Sequence, residues 1–101
     1  MNMAFEVSWT AEKLEELPRR RNIDPFAAVL ILNYERTRLV LELEPSHTGQ
    51  ERVIGMDESG RLLTIAMNID YPDGDDDIGI IRCHTAWLST EPERALFNDG
   101  Q

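Results

Sequence analysis

After Asn33 the apolar residues change their spacing, and that change sets what the chain can fold into. Before it, Leu14 and Leu17 stand three apart and Phe26 to Leu32 form a nearly continuous apolar run, both readable as helix. After it, Leu39, Leu41 and Leu43 alternate with Val40, Glu42 and Glu44, the period of a half-buried strand. Helices followed by strands joined through short turns predict an α+β fold: two N-terminal helices packed on an antiparallel β-meander, with a short C-terminal helix.

Local chemistry marks the boundaries. Residues 4–8 alternate weakly and predict a short first strand. Thr10 is a cap for the first helix, and Glu12 lies in the first turn, where the helix dipole favours negative charge. Pro18 is expected to kink or stop that helix, and Asn22 tolerates the left-handed conformation that ends helices. Asp24 and Pro25 then read as N-cap and first helical residue, so a second helix is expected from Pro25 to about Leu32. Its apolar run implies burial on most sides, or one face on the core and one on a partner.

Glu51 to Met56 and Arg61 to Ile69 flank the turn D-E-S-G and predict a hairpin. A second turn, Y-P-D-G-D-D-D, leads to a last strand from Ile78 to Ala86. Ser89 or Thr90 can cap a terminal helix from Glu91 to Phe97, with 98–101 a loose tail. All helices are expected on one face of the sheet.

The 101 residues fit one domain, and 42% apolar against 29% charged residues is the balance of a folded globular chain. No apolar run reaches the ~18 residues of a membrane span and the N-terminus lacks a signal pattern, so a cytoplasmic protein is expected. The single cysteine, Cys83, excludes an internal disulfide and a cysteine-cluster zinc site. The net charge of −9 falls wholly in residues 39–101, which hold four basic and thirteen acidic groups. A polyanion ligand would therefore need the arginines gathered in one place.

Most reactive groups crowd into I-R-C-H-T-A-W, Ile81 to Trp87. Regular strand alternation puts Arg82, His84 and Ala86 on one face and Cys83, Thr85 and Trp87 on the other. Cys83 and His84 then point apart and cannot form a nucleophilic pair, whereas Arg82 and His84 could together hold a phosphate and move a proton. The aspartates from Asp70 to Asp77 lack the glycine and glutamate of a calcium loop, because Ile78 and His84 stand at those positions, and they read as a solvated hairpin tip. His47 reads as a loop residue, with one other histidine in the chain to join it on a metal.

Read in order, W-T-A-E-K (Trp9 to Lys13), R-R-R-N-I (Arg19 to Ile23), E-R-V-I-G (Glu51 to Gly55), G-R-L-L (Gly60 to Leu63), I-R-C-H-T-A (Ile81 to Ala86) and Glu93-Arg94 resemble the BrnT family. That family comprises ribonuclease toxins of type II toxin–antitoxin pairs with a RelE-like fold. The resemblance implies metal-independent RNA cleavage without a cofactor, in which cations bind the scissile phosphate. Carried over, the catalytic residues are Lys13, Arg20, Arg52 and Arg82, with His84 as a proton carrier; a small antitoxin protein would be the partner and RNA the substrate. Three family positions differ: Arg21 replaces a histidine, Asn22 a glycine and Trp87 an arginine. The last change removes a phosphate-binding group. Two other readings fit the charge: a non-catalytic acidic interaction module on the same fold, and a nucleic-acid mimic that binds basic proteins.

Overall fold

The computed structural model describes residues 5–33, 38–42, 51–70 and 79–99. The turn around Asp73 to Asp77 and the loop with His47 lie outside them. The elements run β1 (Phe5–Ser8), α1 (Ala11–Arg21), α2 (Phe26–Asn33), β2 (Arg38–Glu42), β3 (Glu51–Met56), β4 (Leu62–Asp70), β5 (Gly79–Leu88) and α3 (Glu91–Asp99). The chain is thus mixed α and β, with β2 to β5 lying in sequence between the helices α1 and α2 and the helix α3.

The expected caps form. Thr10 Oγ1 accepts from the Lys13 amide at 3.2 Å, and Asp24 Oδ1 accepts from the Phe26 amide at 3.0 Å. Asn22 takes φ 55°, and the Asn22 and Ile23 amides both donate to Leu17 O, which closes α1. Pro18 does not stop α1; the helix continues through it to Arg21. Proline deletes the bond its N–H would give to the carbonyl four residues back, but Leu14 and Pro18 are exposed, so water can serve that carbonyl. Burial of Leu17 and Ile23 on the core side holds the last turn in place.

The sheet has five strands in the order β1-β5-β4-β3-β2. β2 to β5 pair antiparallel as a meander, but β1 joins the edge parallel to β5, with Val7 opposite Ile81 and Ser8 opposite Arg82. The chain between the parallel partners β1 and β5 includes α1, α2 and the strands β2 to β4, well beyond the minimum connection that a parallel pair requires.

The expectation of helices on a single sheet face needs correction. On one face Val53, Leu63, Ile65, Met67, Ile81 and Cys83 join Leu17, Ala28 and Ile31 of α1 and α2 in the main core. Helix α3 lies on the other face, where Glu93 meets Arg52 and Trp87. It also extends to Asp99, two residues into the stretch read as tail.

Gly55 makes room for Ile31 of α2. A Cβ there would stand 3.2 Å from Ile31 Cγ1 and 3.3 Å from Ile31 Cβ, nearer still to Cγ2, and both residues are buried. Gly55→Ala is expected to destabilise the fold by about 1–3 kcal/mol through overpacking. Equilibrium urea denaturation would measure this as a lowered midpoint with an unchanged slope.

Candidate functional site

Strand β5 departs from regular alternation at His84. Ala66 of β4 pairs with Thr85 and Met67 pairs with Cys83, so His84 has no opposite residue and forms a β-bulge. The extra residue reverses the faces beyond it. Ala86 joins Ile81 and Cys83 in the core, whereas Thr85 and Trp87 move to the face that carries Arg82. The assignment of Ala86 to the Arg82 face, and of Thr85 and Trp87 to the Cys83 face, is corrected by this bulge. Cys83 is buried as expected, and burial pushes its thiol up to about 12, so no thiolate forms near neutral pH.

Arg82, His84 and Arg52 therefore share the sheet face opposite α1. Arg82 Nη2 lies 3.0 Å from Asp70 Oδ2, and the two side chains are 62% and 49% exposed. His84 Nε2 hydrogen-bonds Asn68 Oδ1, and Asn68 is the direct partner of Arg82 across the strands. Glu6 and Asp70 both flank Ile80 one row away, so carboxylates bound one end of this polar surface. Arg52 lies two strands over, opposite Ala66, roughly 12 Å from Arg82 by ordinary strand spacing.

Arg52 is engaged elsewhere. Its Nη1 donates to Glu93 Oε2 at 3.2 Å, and its Nε is buried without a partner among the described residues. Glu93, 5% exposed, is the centre of a network. Its Oε1 accepts from Trp87 Nε1 at 2.9 Å and from the Thr90 amide at 2.8 Å, while the Thr90 hydroxyl accepts from the Glu93 amide at 3.4 Å. The Thr90–Glu93 exchange is a capping box for α3. The buried Thr64 hydroxyl, which shares a 2.8 Å hydrogen bond with Ser89 Oγ, adds a further polar group beside this carboxylate. Burial alone would raise the Glu93 carboxyl, but the Thr90, Trp87 and Thr64 hydrogen bonds outweigh it and hold the group below its ordinary 4.5. Trp87, which stands where the BrnT pattern has an arginine, here anchors a carboxylate.

Lys13 and Arg20 belong to α1, the helix that packs on the opposite sheet face. Lys13 Nζ is 3.4 Å from Glu16 Oε1, and Arg20 is exposed. Arg21 donates to Ala86 O at 3.2 Å and ties the end of α1 to β5. The structure thus groups Arg82 with His84, places Arg52 on the same face, and leaves Lys13 and Arg20 on the helix across the sheet. Among the described residues, no cluster of three His, Cys, Asp or Glu side chains could hold a metal ion.

Two organising carboxylates were not read as such from the sequence. Glu93 had an available signal, Thr90 three residues before it, but its reach to Arg52 and Trp87 depends on which sheet face α3 adopts. Asp57 is the second. Its Oδ1 accepts from the Ser59 amide and hydroxyl and the Arg61 amide, and its Oδ2 accepts from Arg61 Nε at 3.0 Å.

No family model and no curated protein matches this chain. No helix among the described residues is long and apolar enough to cross a membrane.

Proposed function

We propose that this chain is a BrnT-like toxin component of a type II toxin–antitoxin pair in which metal-independent RNA cleavage is weakened and binding to a small antitoxin-type protein is retained. The motif order from Trp9 to Arg94 supports the family reading. So does the layout, with the N-terminal helices against the β2 to β5 meander, as a RelE-like resemblance implies. The weakening rests on one observation: the four cations the resemblance assigns to cleavage are not gathered in one place, since Lys13 and Arg20 lie on α1 across the sheet from Arg52 and Arg82, and Lys13, Arg52 and Arg82 are each paired with a carboxylate of the same chain.

These pairs differ in strength. Arg82 and Asp70 are both exposed, and such a pair contributes only about 0–1 kcal/mol, so an incoming phosphate can displace Asp70. Arg52 faces a buried carboxylate, and removing it would strand that charge at a cost of several kcal/mol. Arg82, with His84 beside it, is then the residue on which residual cleavage depends. The net charge of −9 favours a second reading, the non-catalytic interaction module, over an efficient nuclease.

Induced expression in bacteria is expected to slow growth weakly, and purified protein to cleave RNA slowly. Arg82→Ala should lower that residual rate by about 100-fold, the usual scale for losing one preorganised transition-state contact. Full growth arrest at low induction, abolished by Arg82→Ala, would overturn the weakened-site reading in favour of an intact ribonuclease. No cleavage at any dose would leave the interaction module.

A further inference from the structure

We propose that the face around Phe26 is the docking site for a basic amphipathic helix of a partner protein; this deepens the partner-binding reading above and rests on it. Phe26, at the start of α2, is 59% exposed, and Leu14 of α1 is 49% exposed. Between them lies a cleft of about 490 Å³ lined by Val7, Trp9, Leu14, Pro18, Pro25 and Val29. A second cleft of about 250 Å³ adjoins it across Phe26 and Asp24, lined by Ala27, Leu30, Asp57, Glu58, Ser59 and Arg61. The first cleft is predominantly apolar and the second adds a charged rim, a combination that suits a protein partner.

The charges at the rim select the occupant. Arg61, the one cation lining either cleft among the described residues, directs Nε to Asp57 and Nη1 to Asn22 O at 3.1 Å. Asp24 and Glu58 have no ion-pair partner among the described residues. A second copy of the chain would bring another −9 and a second set of these carboxylates, and a nucleic acid would bring phosphates. A cationic partner meets no such repulsion. A helix fits because residues three or four apart, roughly 5–6 Å between Cβ atoms, can seat one apolar side chain on each side of the Phe26 ring. Its lysines or arginines then face Asp24 and Glu58.

The probe is a synthetic amphipathic peptide with leucines at i, i+3, i+4 and i+7 and lysines on its polar face, titrated into isotope-labelled protein and followed by NMR. Amide shifts are expected to centre on Leu14, Phe26, Val29 and Ser59. Phe26→Ser, a change at an exposed side chain, should weaken binding at least about tenfold, as loss of an aromatic anchor does. Asp24→Asn with Glu58→Gln, which keeps the acceptor that caps α2, should weaken it about fivefold at low salt and less at high salt. A peptide with glutamates replacing the lysines should bind at least about tenfold more weakly. Equal binding of both peptides, or full affinity in Phe26→Ser, would overturn the proposal. A concentration-dependent dimer that Phe26→Ser dissociates would give the cleft to a second copy and would also overturn it. The titration contains no RNA and no cell, so its failure is distinguishable from failure of the growth and cleavage result.

Discussion

Glu93→Ala should be among the most destabilising single substitutions in this protein, costing about 3–5 kcal/mol, because it strands a buried network and not merely one bond. The variant would leave the Trp87 indole N–H and the Thr90 amide without their acceptor and Arg52 without its counter-charge. For a domain of this size the loss corresponds to a fall of more than about 10 °C in melting temperature. Glu93→Gln keeps one carbonyl oxygen for Trp87 and Thr90 but turns an amide toward Arg52, so about 1–3 kcal/mol is expected. The pH dependence has a definite sign. The folded carboxyl is held below its ordinary 4.5, so its stabilisation is fully present above the unfolded value and is lost as pH falls through the folded one. The stability gap between wild type and Glu93→Gln, read from urea midpoints, should therefore narrow below about pH 4.5. A gap that stays constant down to pH 3 would show that the network does not depend on ionised Glu93.

Much of the fold was legible because its signals are local. Asp24 with Pro25, Thr10, and Asn22 each act within a few residues, and the helix boundaries they mark agree closely with those observed. The features that were not legible arise from pairing between distant segments. A bulge at His84 exists only relative to Ala66 and Met67 of the neighbouring strand, and nothing in I-R-C-H-T-A-W itself announces it. Yet it decides that Trp87 meets Glu93 and Ala86 enters the core. The side of the sheet taken by α3 is likewise set by contacts 41 residues apart in sequence, Arg52 with Glu93, and the parallel pairing of β1 by contacts with β5. Candidate residues could be named from the chain, but their grouping could not. Arg82 and His84 are neighbours because β5 places them so, whereas whether Lys13 and Arg20 converge with them depends on which face α1 covers.

Asp57 carries the second large expected effect, through a turn and not through a core. Its carboxylate closes the hairpin between β3 and β4: the Ser59 amide and hydroxyl and the Arg61 amide donate to one oxygen, and Arg61 Nε donates to the other. Gly60, at φ +88°, supplies the left-handed residue that this tight connection needs. Arg61, oriented by that carboxylate, reaches Asn22 O at 3.1 Å and so links the hairpin to the end of α1. Burial would raise the Asp57 carboxyl, but hydrogen bonds from Arg61 and Ser59 and the Arg61 charge hold it lowered, so this group too stabilises the fold above its unfolded value and ceases to as pH falls. Asp57→Ala is expected to cost about 2–4 kcal/mol, since it leaves several donors and a partly buried guanidinium unpaired. Asp57→Asn retains the acceptor used by Ser59 and the Arg61 amide and loses the ion pair, so about 1–2 kcal/mol is expected. Hydrogen exchange distinguishes a local from a transmitted effect: in Asp57→Ala the amides of Gly60 and Arg61 should lose protection, and Ile23, which closes α1 beside Asn22, should lose it as well. Unchanged protection at Ile23 would confine the role of Asp57 to its own turn and remove the link from the hairpin to α1.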